Sequence, residues 1–208
     1  MTEAQELNLS GALASFNAPK ISAFRDDYQR RWVAGFKDAS LAEEILENPR
    51  LHTRAGAEIC AGLGVGYQFN LPFDKNGRIV SVMMAMGLPL FRDLLGCLWH
   101  RKTVLDWITW NQIEEKCPHI SFEDLKTCLR NVPASVNERI GAPSEVEPNL
   151  DADDLHLSGA ACLAAWAAHA PSDVGERLSL FIDLPDDPDH PGAALVPAFA
   201  AVFLEEGS

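Results

Sequence analysis

Apolar side chains recur along this chain at intervals of three and four, the spacing of one helix face, and only weakly at intervals of two. Ile21, Phe24, Tyr28, Trp32 and Phe36 form the first stripe, opposite Arg25, Asp26, Asp27, Arg30 and Arg31, and predict a helix buried on one side. Ser40 with Glu43 has capping-box spacing and opens a short helix carrying Leu41, Ile45 and Leu46. Asn48 as cap, with Pro49 at the first helical position, predicts a helix to about Leu63, stopped by Gly64 and Gly66. Residues 64–77 combine turn formers with Tyr67, Phe69, Leu71 and Phe73, so this loop is expected to lie against the core.

Three apolar segments follow, 79–86, 89–99 and 103–116, and together predict a central helical layer. Ser121 with Asp124 starts another short helix through Leu125, Cys128 and Leu129, and Pro133 leaves room for a last turn or two before Gly141. Residues 142–151 hold two prolines and no periodicity, which reads as an exposed linker. An Ala-rich helix is expected over 151–169, with Leu155, Cys162, Leu163 and Trp166 inward and its acids at the N-terminal end, where the helix dipole favours them. Residues 172–183 read as mostly helical, 185–192 as irregular, and 193–206 as one further helix. The first ~18 residues lack a sustained period and read as a loose arm. The expected fold is therefore mostly α: a flexible arm over 1–19, a helical domain over 20–185 with a linker at 142–151, and an extension over 186–208.

Charge adds a second pattern. The net charge is −13, and residues 144–208 hold 13 acids and one base, Arg177, against 17 acids and 16 bases before them. Such a balance disfavours nucleic acid, whose binding rests on Lys and Arg neutralising phosphates. Five cysteines, an odd number without framework spacing, and an N-terminus lacking both a basic and an apolar region predict a reducing, cytoplasmic location. No membrane insertion is expected: residues 79–99 are interrupted by Gly87, Pro89, Arg92 and Asp93, and 193–204 is too short for the ~20 residues a span needs.

Candidate chemistry is sparse. Gly62, Gly64 and Gly66 follow a helix rather than a strand, and Tyr67 stands where a dinucleotide loop needs glycine, so they read as a helix stop. Asp151, Asp153 and Asp154 read as helix-start acids, and Asp186, Asp187 and Asp189 as a solvated turn, since neither group has the glycine and distal Glu of a calcium loop. Cys97, His100, Cys117 and His119 are zinc-type side chains within one short stretch; without a common finger spacing they support only an alternative reading, a small helical metal-binding protein or enzyme. The signature sequences of the common nucleophilic hydrolases are absent, and no cofactor is expected. Trp99, Trp107 and Trp110 bracket His100, Arg101 and Lys102; Trp and Arg are the types that concentrate interface energy. Arg101, Lys102, Trp110, Asp151, Asp153 and Asp154 are accordingly the candidate partner interface.

The order of short motifs resembles a known family. Pro49-Arg50-Leu51 opens a helix closed by Leu63-Gly64; Phe69-Asn70-Leu71-Pro72 follows; Arg78 to Leu88 is an apolar helix ending in Gly-Leu; Leu94 to Ile108 is a helix pair joined by the basic turn Arg101-Lys102. Leu157-Ser158-Gly159-Ala160-Ala161-Cys162-Leu163-Ala164-Ala165-Trp166, then Pro171, Glu176-Arg177-Leu178-Ser179-Leu180 and Leu184-Pro185 complete the pattern over about residues 20–185. This succession resembles the K-class sorting-platform proteins of type III secretion systems, the SctK/YscK family that includes NolU-like proteins. Asn70 and the segment after Ile108 depart from the family's pattern. The resemblance implies a non-enzymatic cytoplasmic scaffold, peripheral to the inner membrane through protein contacts. It would link the cytoplasmic domain of the inner-membrane ring protein (D class) to the pod protein (Q class), with the stalk protein (L class) reached indirectly.

Overall fold

The computed structural model describes residues 3–67 and 69–205 and is 69% helical, with no strand among those residues, so the fold is mostly α. Thirteen helices succeed one another among the described residues: α1 Glu3–Asn17, α2 Asp26–Ala34, α3 Ala39–Glu47, α4 His52–Gly62, α5 Lys75–Met86, α6 Leu88–Trp99, α7 Arg101–Thr109, α8 Ile113–Lys116, α9 Phe122–Asn131, α10 Ala134–Ile140, α11 Ala152–His169, α12 Ser172–Leu178 and α13 Leu195–Glu205. Local signals set most of these bounds. Asp74 starts α5 by accepting from the Asn76 and Gly77 N–H groups, Ser121 starts α9 by accepting from Asp124 N–H, and Gly141, at φ 67°, ends α10 in the left-handed conformation glycine tolerates. Asp38 caps α3, displacing the expected Ser40, whose own N–H and hydroxyl both donate to the Asp38 carboxylate. Those bonds hold the Asp38 carboxyl below its usual pKa. The expected helix over 21–36 is broken: a 3-10 turn spans Ile21–Ala23, and Arg25 N–H bonds to Leu180 O before α2 begins.

The centre of the molecule is the crossing of α6 and α11. Gly96 and Gly159 meet there so closely that a Cβ on Gly96 would stand 1.9 Å from Leu155 O, and one on Gly159 1.9 Å from Arg92 O. Around this crossing lie Leu94, Leu95, Leu98, Leu155, Cys162, Leu163 and Trp166, all buried. Helices α5 and α6 bend by 105° about Gly87, whose φ of 92° a side chain would strain; no single helix among the described residues is long and apolar enough to cross a membrane.

Among the described residues the first and last helices are both built into the core. The presumed loose arm is α1, with Leu9, Leu13 and Phe16 buried against α5: a stripe at 9, 13 and 16 too short to stand out from its Ser, Gly and Asn surroundings. The presumed extension ends in α13, whose Leu195, Val196, Phe199 and Ala200 are buried, Phe199 packing on Phe91 with ring centroids 4.8 Å apart.

A second apolar cluster gathers Ile21, Phe24, Ala55, Ile59 and Cys60 with Leu180, flanked by Tyr28 and Trp32. Arg177 ties it to the main core. Its guanidinium, fully buried, donates to Phe16 O (2.7 Å), Asn17 O (2.6 Å), Gly66 O (2.6 Å) and Tyr67 O (2.7 Å). The only base of the acidic last third is thus an internal clamp that joins α1, the 64–74 loop and α12, its charge met by carbonyl dipoles.

Candidate functional site

Residues 143–150 form one wall of an open groove of about 660 Å³, and Asp154, Leu157 and Ser158 of α11 line it with His100. The segment is irregular and exposed at Ser144–Val146, in line with a linker, yet anchored further on: Leu150 is buried and Glu147 N–H donates to Thr103 Oγ1 at 2.9 Å. The Glu147 carboxylate meets Nδ1 of buried His100, and His100 Nε2 lies 2.8 Å from Ser158 Oγ. In the neutral imidazole, Nδ1–H donates to Glu147 and Nε2 accepts the Ser158 hydroxyl, so one ring joins the end of α6, the linker and α11. This connectivity is that of a nucleophile triad, but Ser158 stands within a helix whose N–H groups are committed to i−4 carbonyls. The three side chains together tie the end of α6, the linker and α11.

Above this floor the groove combines acid with apolar surface. Leu157 is 62% exposed and Val146 41% exposed, and Glu145 and Asp154 line the groove with them. Asp151 and Asp154 form a reciprocal capping box, each carboxylate accepting the other's N–H at 3.0–3.1 Å, which fixes the start of α11 and holds both acids at the groove. Asp153 is exposed beside them. No Lys or Arg occurs between Arg139 and Arg177. Of the six expected interface residues, Asp154 lines this groove, and Asp151 and Asp153 stand beside it at the start of α11. Arg101 is corrected: its guanidinium turns inward and donates to Leu129 O (2.5 Å) and Val132 O (2.8 Å), where it satisfies the C-terminal carbonyls of α9. Lys102 is exposed on α7, and Trp110, 68% exposed, stands past its end with the indole N–H on Asp106 Oδ1 at 3.2 Å. Neither lines the acidic groove.

The four zinc-type side chains do not converge. Cys97 donates a hydrogen bond to Cys117, which pushes the Cys97 thiol up and holds the Cys117 thiol down, with burial opposing the latter. His119 Nε2 instead meets Asp93 Oδ2 at 3.0 Å, within a cluster where Asp93 also takes Arg92 (2.7 Å) and His156 (3.5 Å), and His100 belongs to the Glu147–Ser158 tie. Among the described residues no three His, Cys, Asp or Glu side chains have the geometry of a metal site.

Sequence reasoning missed Leu157, Val146, Glu147 and Ser158. Leu157 carried a readable signal: two positions from Leu155, it falls on the side of α11 away from the Leu155–Cys162–Trp166 stripe. Glu147 and Ser158 carried none, because their meeting at His100 depends on how the linker folds back. No family model, curated sequence or solved structure matches the chain.

Proposed function

We propose that this chain is a non-enzymatic adaptor of a type III secretion machine, a K-class sorting-platform protein that holds the inner-membrane ring protein and the pod protein together from the cytoplasmic side. The family assignment rests on the ordered motifs between residues 20 and 185. The observation that carries the adaptor reading is the acidic groove, where Leu157 and Val146 stay exposed with Glu145 and Asp154 in the lining and Asp151 and Asp153 beside it at a capped helix start. An exposed apolar pair ringed by one sign of charge suits a basic protein segment: the charge steers the approach and the apolar pair holds the complex.

The test is the association rate of the purified chain with the ring protein's cytoplasmic domain and with the pod protein, measured separately across salt. Docking through the groove predicts a rate for at least one partner that falls steeply as the Debye length shrinks from ~10 Å at 0.1 M to ~3 Å at 1 M. Replacing Asp151, Asp153 and Asp154 by Asn should remove most of that salt dependence. Rates flat across salt for both partners, or unmoved by the triple replacement, would refute docking through this groove.

A further inference from the structure

A second surface differs in place and composition from the acidic groove. The end of α7, the short α8 and the start of α9 enclose a cleft of about 620 Å³. Buried Ile113, Cys117 and Ile120 make its floor, while Ile108 and Phe122, the latter 50% exposed, make its walls. Trp110 stands beside it in the chain, next to the lining Asn111. The turn there is a fixed one. Asn111 takes a left-handed φ of 55°, Asn111 N–H bonds to Ile108 O and Gln112 N–H to Trp107 O, so α7 ends in a double-bonded C-cap that holds the Trp110 backbone in place. Of the five tryptophans, Trp107 and Trp166 are buried and Trp32 and Trp99 half-buried; Trp110 alone presents most of its ring to solvent.

Charge around the cleft is predominantly acidic. Residues 106–126 contain Asp106, Glu114, Glu115, Glu123 and Asp124 against Lys116 and Lys126, and both lysines have partners: Lys116 lies over the Trp107 ring at 5.6 Å and Lys126 faces Glu123 at 3.7 Å. Exposed Glu114 lines the cleft itself. A cleft with an apolar floor and an acidic rim suits a helix laid in by its apolar face with basic residues along its edges.

We propose that the α7–α8–α9 cleft is a docking site for an amphipathic helix of a partner protein, its apolar face flanked by Lys or Arg. Phe122, Ile108 and Trp110 hold the apolar face, and Glu114 and its acidic neighbours face the basic flanks. The site stands or fails independently of the secretion-machine reading, because it shares no lining residue with the acidic groove.

The experiment uses the full chain and three fluorescein-labelled peptides about five turns long: a Leu/Lys amphipathic helix, a Leu/Lys peptide of the same composition scrambled to have no apolar face, and a Leu/Glu amphipathic helix. Binding is read by anisotropy. The amphipathic Leu/Lys helix is expected to bind at least about tenfold more tightly than either control. Phe122→Ser and Glu114→Lys should each weaken it about tenfold, while the joint replacement of Asp186, Asp187 and Asp189 by Asn leaves it within about twofold. Trp110→Ser takes the place of Phe122→Ser if the latter lowers the denaturation midpoint. Equal binding of the scrambled peptide, an unchanged affinity in the cleft variants, or an equal loss on neutralising the remote acids would overturn the proposal.

Discussion

Replacing Gly159 by Ala tests the helix crossing on which both surfaces are built. The added methyl would lie 1.9 Å from Arg92 O, 2.9 Å from Arg92 C and 3.0 Å from Gly96 N, all of them backbone atoms that cannot rotate aside. Relief requires α6 and α11 to part by more than ~1 Å, which loosens the surrounding dispersion contacts along the crossing. Overpacking costs ~1–3 kcal/mol where side chains can adjust, and here the obstacle is main chain, so the loss belongs at or beyond the upper end. Helix propensity returns ~1 kcal/mol for Gly→Ala. The net expectation is a loss of ~2–3 kcal/mol, which a urea titration followed by tryptophan fluorescence would read as a midpoint lower by about 1 M with an unchanged slope. Gly11→Ala is the matched control. Gly11 lies inside α1 with nothing within 4 Å of its missing Cβ, so the same substitution should stabilise by ~0.5–1 kcal/mol. Equal and opposite-to-expected behaviour, with Gly159→Ala as well tolerated as Gly11→Ala, would refute the close crossing.

Arg177→Met removes the buried guanidinium from four carbonyls, of which Asn17 O keeps Phe69 N–H, and should cost ~3–5 kcal/mol in the same titration, with Arg177→Lys recovering only part, because an ammonium cannot reach all four acceptors. Trp166→Ala should cost ~3–5 kcal/mol, since the indole is 8% exposed within the core; an unmoved midpoint would place it elsewhere. His190 gives a pH dependence. Its Nδ1 accepts from Gly192 N–H at 3.1 Å, near the Cys162 thiol that burial pushes up to about 12, and burial lowers the His190 pKa from 6.5. A base with a lowered folded pKa binds more protons when unfolded, so its contribution is complete above pH 6.5 and is lost as the pH falls through that value towards the folded pKa. Melting temperature should therefore drop below pH 6.5 and drop less in His190→Gln; parallel profiles for the two proteins would contradict this.

Most helices were legible because each carries its own start or stop in the chain: Ser121 with Asp124, Asp151 with Asp154, Pro133 with Gly141. What stayed hidden was set by distant partners. Residues 9, 13 and 16 of α1 make one face only once α5 lies against it, and the break at Phe24 follows from the Arg25–Leu180 bond across 155 positions of chain. Arg101 looked like an exposed basic turn next to Lys102, but the open carbonyls at the end of α9 draw it inward. For the acidic groove, the charge run of the last third was plain in the sequence. The apolar pair inside it and the His100 tie beneath it depend on the fold of residues 142–151, which no local pattern encodes.

The adaptor reading is tested most directly by recovering the tagged full-length chain, after mild cross-linking, from cells assembling an intact type III secretion machine. The ring protein and the pod protein of that machine should both be recovered with it and identified by mass spectrometry, and the Asp151, Asp153, Asp154 to Asn variant should lose at least one of them. Recovery of the chain with neither protein, from cells in which the machine is assembled, would contradict the assignment.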